Sequence, residues 1–183
     1  VLWSARDATL IESAGGTLAN GSGPAFFAGR TSQSQSSRRR ALLEFDVAGS
    51  LPADARVVGA ELLLELTPSH PEPAWVVVHG LLMDWSEGPS VASGGGGQLA
   101  QPGDSTWLHR SLPDLFWATP GGDLATDPSA ATLVGDVGPY RFASLGLAAD
   151  VQAWLDGSSA EFGWILLGER PGFMPVLLQT LLG

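Results

Sequence analysis

Glycine and proline interrupt this chain too often for long helices. The 24 glycines and 13 prolines are 37 of its 183 residues, and they fall between short apolar runs. Short runs bounded by turn residues are the pattern of strands joined by turns. Residues 38–46 read Arg-Arg-Arg-Ala-Leu-Leu-Glu-Phe-Asp. Strand alternation sets Ala41, Leu43 and Phe45 on one face and Arg40, Leu42, Glu44 and Asp46 on the other. Residues 57–67 alternate too, with Leu62, Leu64 and Leu66 opposite Glu61, Leu63 and Glu65. Ala, Glu and Leu also suit a helix, but the clean alternation and the stop at Pro68 favour a strand. Residues 75–82 are rich in valine and predict a third strand. Shorter strands are expected at 9–13, 26–29, 162–168 and 176–182.

One helix is expected. Asp150 can cap it, Val151, Trp154 and Leu155 share a face, and Gly157 can end it. Residues 84–121 have weak periodicity, four consecutive glycines (Gly94 to Gly97) and three tryptophans. They read as long loops pinned by aromatic side chains. Eight to ten short strands with one short helix imply an all-β fold, an antiparallel β-sandwich that is jelly-roll-like. A small barrel is the alternative. No internal repeat or linker divides the chain, so residues 1–183 form one expected module.

Composition narrows the possible functions. Hydrophobic residues are 44% of the chain and mean hydropathy is +0.15, which excludes a disordered polar tail. The apolar runs are broken by Glu or Pro well short of a membrane span. A net charge of −10 would repel a phosphate backbone, so nucleic acid is not an expected partner. There is no cysteine, hence no disulfide, thiolate zinc site or cysteine nucleophile. A start at Val1 fits a secreted chain whose signal peptide has been removed, and fits a shortened chain equally.

Catalytic patterns are weak. There is no Gly-x-Ser-x-Gly elbow, and His70, His79 and His109 lie far apart without zinc spacing. Glu44 with Asp46, and Asp84 with Glu87, could serve as acid and base. The plainer reading balances the first pair with Arg38 and Arg40 and uses the second to cap loops. Calcium is a softer expectation. Asp104, Asp114, Asp123, Asp127 and Asp136 fall in loops, with Asp104 and Asp123 the chosen ligands, but no calcium-loop motif occurs. Seven tryptophans against one tyrosine are unusual. Indoles stack on sugar faces, and the loop residues Trp85, Trp107 and Trp117 are the candidates for ligand binding. Burial beneath the loops is the commoner fate of an indole.

An ordered set of motifs resembles the DNRLRE domain, which is related to carbohydrate-binding module family ninety-six. It comprises Arg39-Arg40-Ala41-Leu42-Leu43-Glu44-Phe45-Asp46, Leu51-Pro52 and Ala60-Glu61-Leu62-Leu63-Leu64. Asp84-Trp85-Ser86-Glu87-Gly88, Asp104-Ser105-Thr106-Trp107 and Trp117-Ala118-Thr119-Pro120-Gly121-Gly122-Asp123 follow. Asp150-Val151-Gln152-Ala153-Trp154 and Gly163-Trp164-Ile165-Leu166-Leu167 complete it. The resemblance implies a secreted β-sandwich, usually one module of a larger extracellular or cell-surface protein, with polysaccharide as a partner in some members; with the weak catalytic patterns, the chain is expected to be non-catalytic. The chain departs from it near the end, where Glu169-Arg170-Pro171-Gly172-Phe173-Met174 is short and Pro175 to Leu182 is unusually apolar.

The expected function is therefore polysaccharide binding or surface decoration outside the cell. The alternative is a structural subunit that assembles into a filament or surface layer through edge strands. Leu177, Leu178 and Leu181 would then make the intersubunit contact with copies of the chain. The same leucines are ordinary core if their strand inserts between two others.

Overall fold

The computed structural model describes residues 1–67 and 73–168, and the backbone of Val176–Thr180. The first strands are β1 (Ser4–Ile11), β2 (Leu18–Asn20), β3 (Phe26–Arg30), β4 (Arg38–Phe45), β5 (Glu61–Leu66), β6 (Ala74–Gly80) and β7 (Gln98–Leu99). After them come β8 (His109–Ser111), β9 (Leu115–Phe116), β10 (Ala130–Val134), β11 (Gly138–Ala143), β12 (Trp164–Leu167) and β13 (Val176–Thr180). The helices are α1 (Val47–Ser50) and α2 (Leu145–Leu155).

The strands form an antiparallel β-sandwich. One sheet runs β10-β6-β12-β4-β1-β2-β7 and the other β11-β5-β13-β3. The chain crosses repeatedly between them, in jelly-roll manner. β3 belongs to both sheets: Phe26 to Ala28 pair with β13, whereas Gly29 and Arg30 pair with β4. Gly29, at φ +125°, sits where the strand changes partner, a conformation that a side chain would strain.

The alternating leucines explain the facing core. Leu62, Leu64 and Leu66 of β5 meet Ala41 and Leu43 of β4, Val76 and Val78 of β6, and Phe142 of β11. Trp154 and Trp164 pack with their rings 4.6 Å apart, and Phe45 meets Trp164 edge-on at 5.8 Å. A second core covers the outer face of the larger sheet. Leu10, Leu42 and Ile165 lie there beneath Trp85, Trp107 and Trp117 of the long loops. That sheet is thus buried on both faces around β4, which is why Leu42 is as buried as Leu43.

Two sequence expectations change, and one left open is decided. α2 begins five residues before Asp150, because Ser144 caps it: its hydroxyl accepts from the Leu147 amide at 3.0 Å. Asp150 instead accepts from the Trp164 indole at 2.7 Å and the Ser129 hydroxyl at 2.5 Å. A second helix, the single turn α1, is held by Asp46 at the Gly49 amide and by Glu161 at the Val47 amide, both at 2.8 Å. Of the two positions left open for the last strand, edge or interior, it takes the interior. β13 lies between β3 and β5, with Leu177 paired to Phe27, and Leu178 to Phe26 and Leu66. Strand addition at Leu177 and Leu178 is therefore blocked, since both neighbouring positions are taken; Leu181 lies outside the described residues, as does His70. Among the described residues no helix is long and apolar enough to cross a membrane.

Candidate functional site

The three loop tryptophans chosen for ligand binding present no face to a ligand. Trp85 is 1% exposed, and Trp107 and Trp117 are each 5% exposed. Each is tied down by its polar groups or a cation. The Trp85 indole N–H donates to the Phe162 carbonyl at 3.0 Å, and the Arg6 guanidinium lies 4.7 Å from its ring centroid. Arg6 is itself held by Glu44 (2.5 Å) and Asp84 (2.6 Å) and donates to the Trp85 carbonyl. Trp107 carries Arg38 and Arg40 at 4.9 and 5.0 Å from its ring. The Trp117 N–H donates to the Thr106 carbonyl at 3.0 Å. The physical reason is the open outer face of the larger sheet: an apolar surface of that size must be covered, and indoles are the largest plugs the loops carry. The exposed tryptophans are Trp3, at 48%, and Trp75, at 47%; Trp75 stands opposite Leu133 in the β6–β10 ladder. Strand alternation places Trp75 opposite in sense to the buried Val76, a signal the sequence already carries.

The two calcium candidates are loop braces. Asp104 accepts the Ser90 amide on one oxygen (3.0 Å) and the Gln101 amide on the other (2.7 Å). Asp123 likewise accepts from Ala118 (2.8 Å) and Thr119 (2.7 Å). Both carboxylates are spent on backbone donors, and among the described residues no three acidic or histidine side chains gather to hold an ion. Glu44 pairs with Arg6 and not with Arg38 or Arg40, and Asp46 caps α1. Of the histidines, His79 bonds through Nδ1 to the Ala125 carbonyl and His109 through Nδ1 to the Thr106 hydroxyl, both at 2.9 Å.

The polar concavity lies elsewhere, where β1 ends beside the start of β4 and Ile11 pairs with Arg39. The chain leaves β1 through Glu12 and Ser13 and enters β4 from the Ser/Gln-rich loop 31–37. That loop is closed by the Thr31 amide on the Ser37 carbonyl at 2.9 Å and turns at Ser36, which has φ +51°. A non-glycine residue in that region carries local strain. Together these segments line a cleft of about 490 Å³ with Glu12, Ser13, Gln33, Ser34, Gln35, Ser36 and Arg39. None of these was singled out as a binding residue from the sequence.

Arg39 forms part of the cleft wall although it is only 2% exposed. Its guanidinium donates to the backbone carbonyls of Gly95, Ser36 (2.9 Å) and Arg38 (2.8 Å). Burial draws its pKa down, and the charge of Glu12 works against that. Glu12 is engaged by Arg38: Nε at 2.9 Å, Nη2 at 2.6 Å and the Arg38 amide at 2.9 Å. Burial alone would raise the Glu12 pKa, but these bonds and the charges of Arg38 and Arg30 outweigh it and hold the carboxyl below its ordinary value. The cleft thus offers amides, hydroxyls and a fixed guanidinium, the groups that bind hydroxyl-rich ligands. A second groove, of about 340 Å³, is apolar and lies between Trp3, Phe45, Leu62 and Trp164.

No model of a known protein family matches the chain, and no curated protein matches it.

Proposed function

We propose that the chain is a non-catalytic, extracellular β-sandwich module that binds polysaccharide in the cleft beside Arg39. One observation carries this reading: a 490 Å³ concavity is lined by side-chain amides, hydroxyls and a buried guanidinium. Sugar hydroxyls need donors and acceptors in fixed places, and Gln33, Gln35 and Ser34 supply both kinds. The extracellular placement is supported by the DNRLRE-like order of motifs.

Affinity electrophoresis through gels containing different polysaccharides tests the reading. At least one soluble polysaccharide should retard the protein, and Gln33→Ala combined with Gln35→Ala should release it at least tenfold without changing the melting temperature. Equal retardation of the double variant would place the ligand elsewhere, and no retardation by any glycan would remove the function.

A further inference from the structure

The sandwich ends in three strands that have a neighbour on one side only: β7, β10 and β11. A free strand side is a template for another strand unless something guards it, such as extreme shortness, a charge or a proline. β7 is two residues long, and β11 carries Pro139 and Arg141. β10, Ala-Ala-Thr-Leu-Val, has none of these guards. Its backbone bonds to β6, and among the described residues its only hydrogen bond to β11 runs from the Thr132 hydroxyl to the Arg141 carbonyl. The face beside this edge is uncovered as well. The tryptophan layer takes in residues of β1, β4 and β12 and none of β6 or β10. Ala130, Val134, Val76 and Val78 turn into the core, so alternation leaves Ala131, Leu133 and Trp75 outside. Leu133 and Trp75, cross-strand partners, are each 47% exposed.

We infer that two copies of this chain pair antiparallel through β10, about a two-fold axis at Thr132, into one continuous sheet. The occupant is a second copy because β10 is complementary to itself in this register. Rotation about Thr132 sets Ala131 opposite Leu133 of the other copy, and does so twice, so the bulky exposed side chain meets a small one. The nearest carboxylates along the chain, Asp127 and Asp136, fall opposite Val137 and Pro128. No like charges therefore oppose each other along the ladder, although each copy has a net charge of −10. Identical surfaces meet, so the contact is isologous and closes as a dimer. Main-chain bonds give the affinity, and the exposed Leu133 gains an apolar neighbour on the face it shares with Trp75. The ladder is five residues long, which makes this a weak interface of the transient class. None of the residues lining the cleft lies on β6 or β10, so the dimer is independent of the polysaccharide reading.

Sedimentation equilibrium of the purified chain, without glycan, provides the test. At about 1 mM protein, in the range of weak associations, the mass should approach twice 19.0 kDa, and dilution should return it to the monomer. Raising the salt from about 20 mM to about 0.5 M should strengthen the dimer, because it screens the repulsion between two acidic molecules. Ala131→Lys combined with Leu133→Lys sets like charges against each other across the axis and should leave a folded monomer. Ala131→Glu combined with Leu133→Lys sets opposite charges together and should restore the dimer. A chain that stays at 19.0 kDa throughout would overturn the inference and leave the edge to a strand of another protein. Masses that grow beyond the dimer, dissociation by salt, a double-lysine variant that dimerises like the parent, or a glutamate–lysine variant that stays monomeric would each overturn it too. Should the double-lysine variant not fold, hydrogen exchange of the parent decides. Alternate amides of Ala130–Val134 should exchange more slowly as the protein concentration rises, and unchanged exchange there would overturn the inference. Glycan retardation rests on the cleft, so either reading can fail without the other.

Discussion

Asp7 shows how a single residue can work against the fold that contains it. Its backbone amide donates to Glu87 Oε1 at 3.2 Å. Burial, and next the charge of Glu87, push its pKa up to about 6 from 3.8. The folded value lies above the unfolded one, so the stability linked to Asp7 is present below about pH 4 and is lost as the pH rises through 6. Asp7→Asn should therefore stabilise the protein at pH 8 by roughly 1 kcal/mol after solvent screening, or about 2–4 °C in melting temperature. The gain should shrink as the pH falls towards 4. Melting curves across that range check it, and a variant that melts lower at pH 8 contradicts it. Glu12 behaves in the opposite sense. Its depressed pKa gives stability above its unfolded value of 4.5, lost as the pH falls through the folded one. Glu12→Gln should thus lower stability at pH 7, and the difference should vanish in acid. Neither behaviour was legible in the sequence. Glu87 is eighty residues from Asp7 and Arg38 is twenty-six from Glu12, so no local pattern joins them.

Elements with one buried face were legible; elements defined by what covers them were not. β5 declared itself because its leucines face the core while Glu61 and Leu63 face solvent. β10 and β11 escaped because Ala130–Val134 is short and Gly138–Ala143 contains glycine, proline and arginine, which hide the period. The loop layer over the larger sheet was recognised as pinned by aromatics, yet its tryptophans were also chosen as ligand contacts, since sequence alone does not say which sheet face a loop folds over. Their burial makes a clear mutational contrast. Trp85→Ala should cost roughly 3–5 kcal/mol by leaving a cavity under Arg6. Trp75→Ala, half exposed on the sheet, should cost well under that. Chemical denaturation of the two variants measures both, and equal costs would contradict the layer. β13 permits a further contrast. A chain ending at Gly172 lacks the strand between β3 and β5 and should not fold. A cooperative unfolding transition in that truncated chain would show β13 to be dispensable.

At the scale of the whole molecule, the sandwich was readable because glycine and proline spacing limits strand length, and alternation then assigns faces. The position of the cleft proposed to take a ligand was not readable. It depends on Arg39, buried between β1 and β3, meeting a loop that closes on itself through Thr31 and Ser37. A Ser/Gln run has no period and carries no sign of the concavity it will line. The central claim is that polysaccharide enters this cleft and does not stack on the buried loop tryptophans. The most direct measurement is a titration of isotopically labelled protein with the oligosaccharide of whichever glycan retards it, followed residue by residue through amide chemical shifts. Saturable shifts should concentrate at Ser13, Gln33, Ser34, Gln35, Ser36 and Arg39. Shifts centred instead on Trp85, Trp107 and Trp117, with the cleft amides unmoved, would contradict it.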